Sequence, residues 1–293
     1  MTSHPDAGEL EGEGAQYPVL STQHSVPGTP SDAAAQSTPP TPLLHVRSLS
    51  YRYPNGQPAL HDVTFDIAAG EAVGLVGPNG AGKTTLLLHL NGLLPDDAVL
   101  PSGENSNAEG SGIHVAGLTI SRRHLPEIRR QVGLLFQDPD DQLFCPTVGE
   151  DVAFGPLNLG LPVDEVRRRV VESLNAVGLS GYEMRGTQRL SFGERRRACL
   201  AGVLACQPSL LALDEPSSNL DPRSRRGFIE LVKSLPAAKL IASHDLDMIV
   251  ELCPRVMVLD HGRIQADGPS SDVLSNVRLM AEHGLEVPWR LRA

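Results

Sequence analysis

The stretch Gly77-Pro78-Asn79-Gly80-Ala81-Gly82-Lys83-Thr84-Thr85 decides the fold of this chain. The apolar run 72–76 before it predicts a buried strand, and the apolar run 86–90 after it predicts a helix. In a strand, glycine loop and helix that follow one another, the glycines let the loop turn its backbone N–H groups towards a phosphate. The phosphate then also lies at the positive end of the helix. Lys83 adds a point charge for the outer phosphates, and the Thr84 hydroxyl can ligate Mg²⁺. The alternative is a glycine turn that precedes a lysine by chance. The full pattern G-x-x-x-x-G-K-[S/T] is expected by chance in about one chain of this length in a hundred, so the sequence predicts nucleotide-phosphate binding.

Composition restricts the class of protein. The chain has 293 residues, 40% of them hydrophobic, and a formal net charge of −10, which is typical of a globular protein and argues against broad nucleic-acid binding. The most apolar runs, 86–94 and 204–213, are well short of the ~18 residues that a membrane span requires. The cysteines show no C-x-x-C spacing, which predicts buried thiols in a reducing cytosol rather than metal ligands. They are Cys145, Cys199, Cys206 and Cys253.

Three regions differ in composition. Residues 1–43 are rich in Ser, Thr, Pro, Gly, Ala and Gln, and no Lys or Arg occurs before Arg47, so we expect a disordered tail with no secretory signal. Residues 44–280 carry the patterns of a folded domain, and residues 281–293 are predicted as a C-terminal tail. Within the domain, residues 96–112 are polar and glycine-rich, which predicts an exposed loop to which no role is assigned.

Alternating polar and apolar residues predict two strands before the phosphate loop. Residues 44–53 and 59–67 alternate on either side of the turn Pro54-Asn55-Gly56, which indicates an antiparallel pair. Tyr53 stands at the end of the first strand. Its ring can stack on a purine base or pack as a half-buried strand tyrosine, and spacing alone does not decide between the two.

Several later strands end in polar residues. The apolar runs are residues 132–136, 210–213 and 240–242, and the polar residues that come after them include Gln137, Asp214, Glu215 and His244. The carboxyl ends of strands are where an α/β sheet places functional side chains. Adjacent acids rarely end a buried strand unless they are paired or near a metal, so Asp214 is predicted as a second partner for Mg²⁺ beside Thr84. Glu215, one residue further, can polarise water.

The chain between these strands is predicted to be partly helical. Residues 138–160 are rich in Pro, Asp and Gly, and residues 163–177 show helical periodicity, so a helical insertion is predicted at about 138–190. Ser191 with Glu194 three residues later has the capping-box pattern at the start of a further helix. Capping accounts fully for both residues, and the same helix start can also hold a phosphate of another molecule.

These patterns together resemble the ATP-binding subunit of ABC transporters over about residues 43–274. The six motifs are Walker A at 77–84, the Q-loop at Gln137, the signature at 190–194, Walker B at 210–214 with Glu215 beside it, the D-loop at 218–221 and the switch residue His244. The resemblance implies an α/β fold: a P-loop NTPase core with a mostly parallel sheet, an N-terminal antiparallel β subdomain and an inserted α-helical subdomain. It also implies ATP hydrolysis with Mg²⁺ as cofactor.

The resemblance further implies a role for each motif residue. Two subunits would face head to tail, and the signature of one, Ser191, Phe192, Gly193 and Glu194, would close over ATP bound to the other. ATP would be held by Tyr53, Gly77, Pro78, Asn79, Gly80, Ala81, Gly82, Lys83, Thr84 and Thr85, with Tyr53 stacked on adenine. Thr84, Gln137 and Asp214 would organise Mg²⁺. Glu215 would be the general base, and His244 would contact the γ-phosphate.

Finer features resemble the energy-coupling-factor and cobalt or nickel importers. They are Phe136-Gln137-Asp138-Pro139-Asp140-Asp141-Gln142-Leu143-Phe144 and the run 147–156. This resemblance implies uptake of a transition-metal ion or a vitamin, at the cytoplasmic face of the cell membrane. The implied partners are a second ATP-binding subunit, identical or related, an integral membrane coupling subunit and a substrate-capture subunit. Phe192 stands where the usual signature has glycine, and since similar members carry an aromatic residue there, retained activity is expected.

Three other functions remain open at this point. A soluble ABC ATPase of translation or DNA repair usually has two cassettes or a long coiled coil, and this chain has one cassette and no sustained heptads. A P-loop kinase has no reason to carry the signature run 190–194. A binding module that does not hydrolyse ATP is the third, because of Phe192.

Overall fold

The computed structural model describes residues 42–95 and 112–292. The predicted disordered tail, 1–43, and the predicted exposed loop, 96–112, lie outside these ranges except for residues 42, 43 and 112. The helices and strands below belong to the two described ranges.

Strands of the described residues form two sheets. The strands are β1 (Leu44–Arg52), β2 (Pro58–Ile67), β3 (Ala72–Val76), β4 (Gly112–Val115), β5 (Leu118–Thr119), β6 (Val132–Leu135), β7 (Leu210–Asp214), β8 (Ala238–Ala242), β9 (Arg255–Asp260) and β10 (Arg263–Pro269). The smaller sheet is antiparallel, in the order β2-β1-β4-β5, and the larger has the order β10-β9-β3-β8-β7-β6. Within the larger sheet every neighbouring pair from β9 to β6 is parallel, and β10 pairs antiparallel at its edge. The predicted α/β fold class is confirmed.

The antiparallel sheet is not built from the first strands alone. β1 pairs with β2 as predicted, and its other edge pairs with β4, which follows the phosphate loop in the chain. Pairing between strands so far apart depends on tertiary packing and leaves no signal in local alternation.

Helices cover both faces of the larger sheet. They are α1 (Lys83–Leu90), α2 (Leu125–Gln131), α3 (Val148–Asn158), α4 (Val163–Ala176), α5 (Phe192–Ala205), α6 (Pro222–Ser234), α7 (Leu246–Leu252), α8 (Ser270–Ser275) and α9 (Val277–Glu282). In residues 42–95 and 112–292, none of these helices has the length and apolar content to cross a bilayer.

Two apolar cores lie on opposite faces of the larger sheet because successive strand residues point to opposite sides. On β7, Leu210 and Ala212 pack into the core shared with α1 and the antiparallel sheet. Leu211 and Leu213 pack with α3 to α7 on the other face. Burial on both faces explains why the strands of this sheet are continuous apolar runs.

The helical insertion contains a helix that the sequence pattern did not predict. α3 lies in the segment rich in Pro, Asp and Gly, and Thr147 caps it with a full capping box to Glu150. A Cβ on Gly155 would lie 2.4 Å from Cys206 Sγ on the C-terminal end of α5. The glycine that obscured the helical pattern is therefore needed for the close contact of α3 with α5.

The predicted C-terminal tail, residues 281–293, begins within α9. In its described part, Leu285 and Leu291 pack against the larger core. The Arg290 guanidinium pairs with Glu251 on α7 at 2.7 Å. These contacts hold the segment against the domain.

Candidate nucleotide-binding and catalytic site

The phosphate loop curls between β3 and the start of α1. Gly82 is the N-cap of α1, and no side chain caps the first N–H groups of the helix. Gly77 has a φ of 154°, and a Cβ there would lie 1.9 Å from the carbonyl oxygen of Leu259 on β9. The Gly262 N–H, just after β9, donates to the Ala81 carbonyl at 3.0 Å. β9 and its turn therefore support the loop from behind, and the helix N-terminus stays available to an anion.

Lys83 lies within this loop and is 9% exposed. Its Nζ donates to the carbonyls of Gly77 at 2.7 Å and Pro78 at 3.0 Å. Burial lowers the pKa of the ammonium, and the charges of Glu215 and Asp214 act in the opposite direction. Since an ammonium has three N–H donors, one remains for a ligand.

Thr84 and Asp214 bring two oxygen ligands together. Thr84 Oγ1 donates to Asp214 Oδ2 at 2.7 Å. Neighbouring ligands of an octahedral Mg²⁺ lie about 3 Å apart, since each lies about 2.1 Å from the ion. The pair therefore fits two adjacent positions around Mg²⁺. Among the described residues no group of three or more His, Cys, Asp or Glu can hold a metal. Protein-bound Mg²⁺ usually takes one or two protein ligands together with phosphate oxygens and water.

Glu215 is buried where β7 ends, with 7% exposure and a left-handed backbone φ of 43°. Its carboxylate accepts hydrogen bonds from Ser243 Oγ at 3.0 Å and from the His244 backbone N–H at 3.1 Å. His244 Nδ1 lies 2.7 Å from Glu215 Oε2, although the imidazole side chain is 68% exposed. The carboxyl ends of β7 and β8 thus hold an acid and a histidine in contact.

One cavity of about 650 Å³ collects these groups. Its lining residues are Tyr53, Gln57, Pro58, Ala59, Asn79, Gly80, Ala81, Gly82, Lys83, Thr84, Thr85, Gln137, Asp214, Glu215 and His244. Gly77 and Pro78 do not line the cavity. Their carbonyls accept hydrogen bonds from Lys83, which does line it. The predicted Walker A, Q-loop, Walker B and switch residues therefore meet in one place.

Tyr53 stands at one side of the cavity and is half-buried. Its hydroxyl hydrogen-bonds with Thr85 Oγ1 at 2.8 Å. Its ring makes an edge contact with Tyr51 at 5.1 Å between centroids, and Tyr51 makes another with His89 at 4.5 Å. The two interpretations of Tyr53 are compatible, since a half-buried ring also borders the cavity.

The signature residues lie elsewhere. Ser191 caps α5, and Glu194 completes the predicted capping box. The Glu194 carboxylate also accepts from the Tyr182 hydroxyl at 2.8 Å, and these hydrogen bonds lower its pKa, those from Ser191 most. None of Ser191, Phe192, Gly193 and Glu194 is among the residues that line the cavity.

Sequence reasoning missed two groups at the site. Ser243, which bonds the Glu215 carboxylate, directly precedes His244 at the end of β8, and its position after the apolar run was the available signal. Arg196 is fully buried behind the cavity. It is one of three consecutive arginines, and nothing in the local sequence distinguishes it from Arg195 or Arg197.

A second, more apolar cavity of about 400 Å³ lies between the helical insertion and β6. Phe144 and Phe154 form its exposed rim, with exposures of 64% and 48% and an edge contact at 4.7 Å between ring centroids. The Asp151 carboxylate braces the loop before α3 by accepting from the backbone N–H groups of Phe144 and Cys145, both at 3.1 Å. We call this region the insertion groove.

Comparisons with known proteins identify relatives of this chain in sequence and in fold. A family model described as ABC transporter matches residues 60–218. An ABC transporter ATP-binding protein of Gloeobacter violaceus, so named provisionally, is 51% identical over 251 residues, which are 85% of this chain and 98% of the relative. The energy-coupling factor transporter ATP-binding protein EcfA of Methanothermobacter thermautotrophicus is 44% identical over 251 residues, 84% of this chain and 77% of the relative. The solved structure of cbiO1 from Clostridium perfringens, described as part of the ABC transporter complex cbiONQ, superposes with a TM-score of 0.69 at 34% identity and covers 82% of this chain and 94% of that one.

Proposed function

We propose that this chain, which belongs to the ABC transporter family and is an ATP-hydrolysing subunit of that family, powers an importer of the energy-coupling-factor type. The cargo would be a transition-metal ion, such as cobalt or nickel, or a vitamin. The similarity to EcfA and to cbiO1 supports the importer type. The subunit would work at the cytoplasmic face of the cell membrane.

The observation that carries the proposal is the single cavity in which Lys83, Asp214, Glu215 and His244 meet. A kinase that passes phosphate to a small molecule needs a second substrate pocket beside the phosphate. Here the carboxyl end of β7 instead supplies a buried acid next to the place where the outer phosphate of a nucleotide on the phosphate loop would sit. That arrangement favours transfer of the phosphoryl group to water.

Binding of ATP would use groups that the fold already aims into the cavity. The N-terminus of α1 and the third N–H of Lys83 would hold phosphate oxygens. Thr84 and Asp214, with the Gln137 side chain at the same cavity, would hold Mg²⁺. When bound, the ion would neutralise charge on the outer phosphates.

Glu215 would act as the general base. Its carboxylate is fixed by Ser243 and the His244 N–H, so one proton can pass from the attacking water to a pre-oriented oxygen. In this structure His244 Nδ1 contacts Glu215 Oε2 and blocks that oxygen. The exposed imidazole would turn from the carboxylate to the γ-phosphate when ATP binds, which frees that oxygen for water.

A second subunit would complete the site. The signature residues begin α5 and do not line the cavity, so Ser191 and Gly193 would reach ATP bound to a partner copy or a related subunit. The Glu194 carboxylate accepts the Ser191 hydroxyl at 2.8 Å and fixes its orientation. Closing of the two subunits would trap ATP, and opening would release products.

The insertion groove would receive the integral membrane coupling subunit. Its exposed Phe144 and Phe154 are the kind of aromatic anchors that protein interfaces use. The helical insertion begins directly after Gln137, which lines the catalytic cavity. A partner seated in the insertion groove would therefore lie close to that cavity. A separate substrate-capture subunit would select the cargo.

Purification of the chain from its native membrane tests the proposal. We expect co-purification of a multi-span coupling protein with a substrate-capture protein, together with Mg²⁺-dependent ATP turnover. Glu215→Gln should abolish turnover, and Glu172→Gln, a surface acid paired with Arg168 on α4, should leave it unchanged. Recovery with ribosomes or DNA repair factors instead would favour a soluble ABC ATPase. Nucleotide binding without turnover would indicate a binding module.

A further inference from the structure

Arg196 is the largest side chain among those that are fully buried in the described residues. It lies on α5, five positions after Ser191, and its neighbours Arg195 and Arg197 are only half-buried. Burial of a guanidinium is costly unless hydrogen bonds replace its water. The position of this cation therefore has a specific cause.

The Arg196 guanidinium donates four hydrogen bonds. Nη1 donates to the Phe136 carbonyl at 2.6 Å, and Nη2 donates to the carbonyls of Gln137 at 2.6 Å and Glu215 at 3.3 Å. Nη2 has two N–H groups for three acceptors, so its contact with Ser218 Oγ at 3.1 Å shares an N–H with one of the two carbonyls. All four acceptors are uncharged oxygens, and only a planar fork with several N–H groups can reach them together.

These contacts join three segments of the site. Phe136 and Gln137 follow β6, Glu215 follows β7, and Ser218 belongs to the D-loop. The side chains of Gln137 and Glu215 face the catalytic cavity, whereas their carbonyls face Arg196 on the opposite side. A shift of α5 would therefore move both backbones at once.

The charge of Arg196 also acts within this network. Burial lowers the pKa of the guanidinium, and the nearby charges of Asp138, Asp214 and Glu215 raise it. A guanidinium nevertheless stays protonated in proteins. It thus offers fixed positive donors at the ends of two catalytic strands.

We propose that Arg196 is a positioning residue for ATP hydrolysis, which fixes Gln137 and Glu215 relative to one another and ties both to the signature helix α5. The inference rests on the proposed function, since it concerns the same ATP site. α3 of the helical insertion packs closely on α5 at Gly155. A partner that moves the insertion would therefore also set the distance between the Mg²⁺-binding edge of the cavity and the general base. Arg196 touches no substrate.

Arg196→Lys tests this inference in the full-length chain. Lysine keeps the charge and loses the fork, so it cannot hold the three carbonyls in one geometry. We expect the affinity for a fluorescent ATP analogue to stay within about threefold of wild type, because the phosphate loop is untouched, while kcat falls by about 10- to 100-fold. Arg169→Lys is the matched control, because Arg169 donates to the Ala205 carbonyl at the other end of α5 and lies away from the cavity.

Each outcome decides between a positioning role and a structural one. An Arg196→Lys protein that is less stable towards urea but keeps the wild-type kcat overturns the inference. Equal losses of nucleotide affinity and kcat also overturn it, since they indicate general disruption. Arg196→Met is a second variant, which removes all four hydrogen bonds; if it does not fold, the Lys variant alone decides. If the wild-type chain itself shows no turnover, the proposed function fails, and the inference fails with it; if wild type and Arg196→Lys turn over equally, only the inference fails.

Discussion

Thr84 and Asp214, 130 positions apart in the chain, share a 2.7 Å hydrogen bond from Thr84 Oγ1 to Asp214 Oδ2. The bond joins the start of α1 to the end of β7 across the cavity. Burial raises the pKa of the Asp214 carboxyl, Glu215 adds to this effect, and the hydrogen bond from Thr84 opposes it. The folded chain therefore holds this carboxylate at a cost to stability, which a bound cation would offset.

The first prediction concerns Asp214→Asn. Because folding raises this pKa, the protonated carboxyl contributes stability that is present below the unfolded pKa of about 4 and is lost as pH rises through the folded value. Asparagine resembles the protonated form. Without Mg²⁺ and nucleotide, we expect the variant and wild type to melt together near pH 4 and the variant to melt higher at pH 7 to 8. Melting curves across this pH range measure the difference. ATP turnover should be lost.

Asp221→Asn is a control for which we expect the opposite change in melting temperature at neutral pH. Hydrogen bonds from Ser224 lower the pKa of Asp221, which caps α6. Its contribution to stability is therefore present above the unfolded pKa and is lost as pH falls through the folded value. We expect this variant to melt below wild type at neutral pH. An Asp214→Asn protein that also melts below wild type at neutral pH would contradict the first prediction.

The second prediction concerns Gly77→Ala. The new Cβ would meet the Leu259 carbonyl oxygen at 1.9 Å, and the backbone of β9 cannot move without disturbing the sheet. Gly160→Ala is the matched control, since Gly160 has a φ of 72° with no atom within 4 Å of a Cβ. We expect the control to lose about 1–2 kcal/mol of unfolding free energy from backbone strain. Gly77→Ala should lose about 2–5 kcal/mol, because overpacking adds about 1–3 kcal/mol to the strain. Urea unfolding measures the loss of free energy in both variants. Equal losses would show that the structure relaxes around the new Cβ at position 77 and would contradict the prediction.

The sequence predicted the cavity better than the elements around it. The phosphate loop and the polar strand ends could be identified because glycine spacing and apolar runs are local signals. α3 was missed although Thr147 and Glu150 form a capping box, because Gly155 and Pro156 break the helical pattern. Pairing of β1 with β4 and burial of Arg196 depend on residues far away in the chain, and no window of sequence contains them.

The third prediction concerns the insertion groove. Phe154→Asp places a charge on its apolar rim, where the ring is 48% exposed and contacts Phe144. Because desolvation of the new carboxylate opposes docking, we expect the proposed membrane coupling subunit to be lost on purification. ATP affinity of the isolated subunit should be unchanged, since the ATP cavity is separate. Val277→Asp, another exposed apolar residue, should keep the coupling subunit. Retention by both variants would place the docking surface elsewhere.

The fourth prediction separates the two interpretations of Tyr53. If the ring stacks on adenine, Tyr53→Ala should raise KM for ATP by about 5- to 100-fold, since stacking of a base on an aromatic ring contributes about 1–3 kcal/mol. Tyr53→Phe keeps the ring and removes only the hydrogen bond to Thr85, so its KM should stay close to wild type. Inorganic tripolyphosphate is the matched ligand, because it has phosphates and no base, and both variants should bind it as wild type does. The measurements are KM for ATP and competition by tripolyphosphate. If Tyr53→Ala weakens both ligands equally, the ring packs as a half-buried strand tyrosine beside the phosphate loop, and recognition of the base must come from another part of the cavity.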